Sequence, residues 1–316
     1  MGIIVVGATF VDIKGFPEGA YIPTGRNVGD VKYIHGGCAR NVVEDIANME
    51  LRPIYCGIVD DSPLGVAVKQ NLMNHKVNCE YMLTEPDGMG LWLAVFDANG
   101  DVAGSISKRP DLSSLLTLFE ERGNEIFSKG DAVVLEVDMD SDIVKKILDY
   151  AEKYGIKSIA LVSNMSIAAE RRDLLQRFDC FICNQQEAGL FFLDNYADKT
   201  AAEMQSIICD KVVRANIPSM VVTLGSDGAV YADKDGNSGF CAARDVQVKD
   251  TTGAGDAFCA GVSAGLAYGK QLSEAVEIGT MLAASVIMSS ENVCPRFRPE
   301  ELGLCVPASL QEEAMA

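Results

Sequence analysis

Positive charge is scarce in this chain: 27 lysines and arginines stand against 45 aspartates and glutamates, a formal net charge of −18. Nucleic acid and anionic membranes would repel such a protein at long range, so neither is expected as a partner. Imidazole is scarcer still. The two histidines are His35 and His75, and no second cysteine pair follows Cys180 and Cys183 at zinc-site spacing. A zinc centre is therefore not expected. The ten cysteines lie mostly inside apolar segments such as Tyr55-Cys56-Gly57 and Phe258-Cys259-Ala260, which suits packed, reduced thiols. No apolar run reaches the roughly 18 residues of a membrane span, and the apolar start Gly2 to Gly7 lacks a basic flank and a cleavage site. A cytoplasmic location is the expectation. No linker rich in Pro, Gly and Ser divides the 316 residues, 48% of them hydrophobic, so 1–316 reads as one domain around one large core.

What the chain does have is alternation. Ile3 to Val11 is a near-continuous apolar run broken by Gly7, the pattern of a strand buried on both faces, and short runs recur at Ile54 to Val59, Ala132 to Val137, Ser158 to Val162, Cys180 to Cys183 and Met220 to Leu224. Between and after them, Arg40 to Met49, Leu64 to Asn74, Asp142 to Tyr154, Ile167 to Phe178, Ala201 to Ala215 and Leu272 to Ser289 carry apolar residues at helical spacing. This order predicts an α/β fold, a mostly parallel central sheet with helices on both faces. Ligands in such sheets sit at the carboxyl ends of the strands. Two regions break the pattern. Lys14 to Ile34 is rich in Gly, Pro and polar residues, and Leu91 to Phe96 and Val102 to Ile106 form a hairpin around Asp97-Ala-Asn-Gly100. The two regions, about 12–34 and 89–108, are expected to pair into a small sheet beside the main body. The tail after Leu310 reads as frayed.

The most restrictive string is Asp250-Thr-Thr-Gly-Ala-Gly-Asp-Ala-Phe258. Gly253, Ala254 and Gly255 can turn their amides toward one point where a helix begins, which makes an anion-binding turn. Asp256 in the first helical turn can accept a proton from a hydroxyl that attacks a phosphoryl group. Taken alone, it could equally complement the helix dipole. Gly36-Gly37 followed by Asn41 at another helix start leaves bare backbone and an amide for a polyol, or a plain loop and cap. Asn184-Gln-Gln-Glu187 reads as a helix start with a good cap, and Val221 to Ala229 as a hairpin turning over Gly225 to Gly228. Gly265 to Lys270 is one residue short of a Walker A loop and has Gln271 where Ser or Thr must bind magnesium. No G-x-G-x-x-G follows the first strand, which argues against a dinucleotide enzyme.

The Asp250 to Phe258 string closely resembles the signature of the ribokinase-like carbohydrate kinases, the PfkB family, and the resemblance runs from Gly7 through Pro295. It implies a three-layer sandwich with a small β-sheet lid over the substrate that often serves as a dimer contact. It also implies phosphoryl transfer from ATP with Mg²⁺ to a small-molecule sugar or nucleoside. Asp256 would be the base and the turn Gly253 to Gly255 the anion hole. Asp12, Gly36, Gly37 and Asn41 match the family's sugar-binding positions. Asn184 and Glu187 match its N-x-x-E element, where the Glu organises magnesium through water. Thr223, Gly225, Gly228 and Asn292 fall in segments that contact the nucleotide. Asp250 and Thr252 border the position where relatives hold K⁺, although Asn292 and Arg296 stand where glycine and a small polar residue are usual.

The acceptor is read from finer detail. Arg40 before Asn41 makes GGCARNVVEDIA resemble the corresponding segment of pseudouridine kinases, as do Leu91 to Gly100 and Ser289 to Pro295. Arg40 or Lys108 would then meet a uracil carbonyl or the phosphate, unless Arg40 is a solvated helix-face charge. Residues 105–108 read SISK, more polar than a closing segment usually is. The expected reaction is transfer to the ribose 5′-hydroxyl of pseudouridine. Other ribonucleosides, ribose, fructose or ketogluconate type sugars, and a non-catalytic sensor are the alternatives.

Overall fold

The structure, a computed structural model, describes residues 2–164 and 169–304. The first residues of the helix expected from Ile167, and the tail after Leu310, lie outside the described residues.

β1 (Ile3–Val6), β4 (Ile54–Cys56), β9 (Ala132–Glu136), β10 (Lys157–Leu161), β11 (Cys180–Asn184) and β12 (Ser219–Thr223) pair in parallel. Two antiparallel strands, β13 (Ala229–Asp233) and β14 (Ser238–Cys241), complete a sheet of order β14-β13-β12-β11-β10-β9-β1-β4. Along β1 successive side chains enter opposite layers, as strand geometry requires. Ile4 and Val6 join Val133, Leu135 and Phe181, while Ile3 and Val5 join Val134, Ile159 and Val221.

Helices cover both faces. α3 (Ser114–Phe127), α4 (Ser141–Tyr154), α5 (Gln185–Phe192) and α6 (Ala201–Ala215) pack on the first layer; α1 (Cys38–Asn48), α2 (Pro63–Asn74), α7 (Ala254–Ala267) and α8 (Leu272–Ile287) pack on the second. The three-layer expectation therefore holds. Local chemistry sets several ends: Asp140 caps α4 by accepting from Asp142 N, Gly155 closes it at φ 63°, and Thr200 and Glu203 form a capping box on α6.

Two expectations of element extent are corrected. The apolar run Ile3 to Val11 is two strands, because the chain leaves the sheet at Gly7, and β2 (Phe10–Pro17) belongs elsewhere. The Gly/Pro-rich segment 14–34 contains strand at both ends, β2 and β3 (Gly29–Gly36), in keeping with its expected pairing into a small sheet. Ala169–Arg177 is a 3-10 helix where an α-helix was expected. The second sheet has the order β3-β2-β7-β8, with β7 (Gly90–Phe96) and β8 (Val102–Lys108) forming the hairpin and β2 pairing in parallel with β7. A short pair, β5 (Ile58–Val59) and β6 (Leu83–Thr84), lies apart from both sheets. No helix among the described residues is long and apolar enough to cross a membrane.

Candidate active site

The carboxyl ends of β1 and β9, the start of α1, the second sheet and the start of α7 converge on a cleft of about 920 Å³. The glycines at 36 and 37 are required by close approach. A Cβ on Gly36 would lie 2.6 Å from Asp12 Oδ1, and Gly37, at φ 94°, would place one 2.8 Å from the Ala8 carbonyl. Asp12 and both glycines therefore face one cavity, and burial raises the Asp12 carboxyl above its usual range despite the nearby Lys14.

Asp256 opens α7 after Gly253, which sits at φ 81°, and Asn41 Nδ2 donates to Asp256 Oδ2 at 2.6 Å. The Cys38 thiol, at the start of α1, lies beside the same carboxylate and helps to lower its pKa. Asp256 is half-buried, and loss of water around its carboxyl raises the pKa to about 6, against the lowering effect of Asn41 and Cys38. Geometry closes the turn from behind as well, since a Cβ on Gly253 would meet the Asn292 carbonyl at 2.0 Å.

The same turn borders a second cavity of about 520 Å³, whose lining includes Thr223, Gly225, Gly228, Ala254, Gly255 and Phe258. Gly225 and Gly228 turn at φ 60° and 112°, and a Cβ on Gly228 would strike the Cys241 carbonyl at 2.1 Å. The helix start thus stands between two chambers. Gly253 and Asp256 face the first, Ala254 and Gly255 the second. The first amides of α7 lack partners within the helix and carry the positive end of its dipole, which suits a group with negative charge passing between the chambers.

These are the elements of phosphoryl transfer between two ligands, and the match to known proteins agrees. Residues 2–294 match the family described as pfkB family carbohydrate kinase. The chain belongs to that family. Within this kinase family it is 32% identical to the guanosine-inosine kinase of Exiguobacterium acetylicum over 294 residues, 92% of this chain and 95% of that one. It is 21% identical to the pseudouridine kinase of Escherichia coli (strain K12), covering 87% of this chain and 86% of that one. The solved Arabidopsis thaliana ribokinase, complexed with ribose and ATP, superposes with a TM-score of 0.79 at 18% identity over 95% of this chain and 97% of that one. The protein is a pfkB-family sugar or nucleoside kinase.

Three site residues stand elsewhere than their motifs implied. Arg40 is 1% exposed and does not line the cleft. Its guanidinium donates to the Gly36 and His35 carbonyls, to Asn41 Oδ1 and, at 2.6 Å, to Glu44 Oε2. It braces the Gly36–Gly37 turn from behind and, being buried, is not a solvated charge. Asn292 lines the first chamber, not the second, and donates to the His35 carbonyl at 2.8 Å and to Asn41 Oδ1 at 3.2 Å. Lys108 is held by Asp87 at 2.9 Å, while its neighbour Arg109 lines the cleft.

Asn184 and Glu187 form the capping box of α5, each backbone amide bonded to the other's side chain at 2.8 Å. Asn184 is in register with Thr223, so the box stands one strand from the second chamber. Asp250 Oδ1 accepts from Thr252 N at 2.9 Å, a bond that lowers the Asp250 pKa. Sequence reasoning did not single out Phe10, Trp92, Glu136 or Asp138, all of which line the cleft. Glu136 and Asp138 had a signal, since carboxylates at the end of the apolar run Ala132 to Val137 lie where parallel strands present ligands.

Proposed function

We propose that this protein transfers the γ-phosphoryl group of ATP to the 5′-hydroxyl of a ribonucleoside, with Asp256 as general base. The observation that carries this reading is the α7 start between two chambers, its base facing one and its glycine-rich turn bordering both. The acceptor hydroxyl gives its proton to Asp256 as it attacks. Asn41 fixes the carboxylate's orientation, and the turn amides stabilise the charge on the phosphoryl group in transit.

Charge supports a neutral acceptor. Among the described residues, the cleft lining carries Asp12, Asp111, Asp138, Asp140 and Asp142 besides Glu136 and Asp256, against a single cation, Arg109. A sugar phosphate or a ketogluconate would enter against this field. The inner face of the second sheet adds Phe10 and Trp92, aromatic surface suited to a base. We place a purine ribonucleoside first, following the similarity to the guanosine-inosine kinase. With Arg40 turned away from the cleft, pseudouridine rests on the likeness of residues 36–47 to its kinases and takes second place.

No group of three or more His, Cys, Asp or Glu side chains converges as a metal site among the described residues. Magnesium would come with the triphosphate and would supply charge neutralisation there, with Glu187 the residue that would reach it through water. We further infer that the second sheet is a lid. Its outer face carries Val31 and Tyr33 on β3, Leu93 on β7 and Ile106 on β8, all exposed, so we propose that it pairs two copies of the chain.

ADP release from Mg·ATP should be strong with inosine, guanosine or pseudouridine and absent with fructose 6-phosphate; a phosphorylated sugar outpacing every nucleoside would overturn the reading. Asp256→Asn should lower kcat by about 10²- to 10⁴-fold while calorimetry still detects binding of an ATP analogue.

A further inference from the structure

Glu136 ends β9 beneath the cleft, 3% exposed, and both of its oxygens are engaged. Oε2 accepts from Ala8 N and Oε1 from Ala39 N, each at 3.0 Å. These amides belong to separate parts of the acceptor site. Ala8 lies in the loop between β1 and β2, four residues before Asp12; Ala39 lies in the first turn of α1, between Gly37 and Asn41. The site is built around this contact. A Cβ on Gly7 would lie 2.7 Å from Glu136 Cδ and 2.6 Å from Ala39 Cβ, so only glycine lets the three segments approach. Tyr55 secures the same loop from the other side, its hydroxyl 3.2 Å and 3.1 Å from the Gly7 and Ala8 carbonyls and 3.0 Å from Thr9 Oγ1.

We propose that Glu136 is a positioning residue for phosphoryl transfer: one carboxylate clamps the Asp12 loop and the Gly37–Asn41 turn to the end of the central sheet, and so sets the acceptor's place relative to Asp256. The inference rests on the acceptor-site reading above. A carboxylate is required because two N–H donors approach two different oxygens, and an amide offers one acceptor and one donor group. In Glu136→Gln, Nε2 must face an amide N–H, leaving a buried donor without a partner. Glu136→Asp keeps both carboxyl oxygens but is one methylene too short to span both amides. Burial and the neighbouring Asp138 and Asp256 raise the Glu136 pKa, opposed by the two amide bonds.

The test uses whichever acceptor the wild-type protein phosphorylates, so a wrong substrate class is detected before any variant is made. Glu136→Gln and Glu136→Asp should each raise acceptor KM at least tenfold and lower kcat while leaving KM for Mg·ATP within twofold, because the second chamber does not include this contact. Unchanged acceptor KM would overturn the proposal, as would parallel loss of both KM values, which marks a merely structural role. Should the variants not fold, hydrogen exchange on the wild-type protein decides. The amides of Ala8 and Ala39 should be protected without acceptor present; exchange of either at the rate of an open loop would overturn the clamp.

Discussion

At the scale of single residues, Asp256 illustrates how environment sets a reactive group. Its type and place at a helix start were legible in the sequence, but its basicity was not, because the shift comes from walls contributed by distant segments. The raised pKa of about 6 means that the proton-accepting form is lost as pH falls. We predict that kcat is level above neutrality and falls about tenfold per pH unit below 6, measured at saturating magnesium so that the nucleotide stays complexed throughout. A rate still level at pH 5 would show that Asp256 is not the base or that the cleft does not desolvate it. Arg40 shows the opposite failure of legibility. An arginine on a helix beside a binding turn reads equally as ligand contact, surface charge or brace; only the carbonyls of His35 and Gly36 converging on its guanidinium make it a brace.

At the scale of elements, the placement of Asp256 depends on how closely α7 meets α8. A Cβ on Gly261 would come within 2.7 Å of Gly279 Cα, and one on Gly279 within 2.7 Å of the Phe258 carbonyl. Backbone lies on both sides, so relief requires the helices to part. We predict that Gly261→Ala destabilises by about 1–3 kcal/mol through overpacking, despite the better helix propensity of alanine. The observable is a lower Tm, with a lower kcat because α7 carries Asp256, the proposed base. Gly104→Ala, where a Cβ meets nothing within 4 Å, should leave Tm nearly unchanged. Small residues at 260, 261, 264 and 265 let the two helices approach closely, and the partner helix became identifiable only from the fold.

At the scale of the whole molecule, the second sheet has two unlike faces. Its strands alternate, so Asp12 and Trp92 line the cleft while Tyr33, 60% exposed, and Ile106, 70% exposed, point outward. Apolar side chains opposite one another on a solvent face stabilise little unless covered. We predict a homodimer by analytical ultracentrifugation at micromolar concentration, converted to monomer by Ile106→Glu together with Tyr33→Lys. A wild-type monomer would refute this assembly. The net charge of −18 does not oppose it locally, because the exposed residues named are uncharged.

The sequence by itself determined the alternating strands and helices, the glycine-rich helix start and the hairpin at 90–108, because each depends on periodicity or turn chemistry within a few neighbouring residues. It also carried the family signature, since that string is contiguous. Tertiary structure alone decided that Arg40 faces away from the cleft, that Asn292 lines the first chamber and not the second, and that Glu136 joins two segments 97 and 128 residues away in the chain. Such roles depend on which distant backbone amides and carbonyls a side chain meets, and local sequence holds no record of those partners.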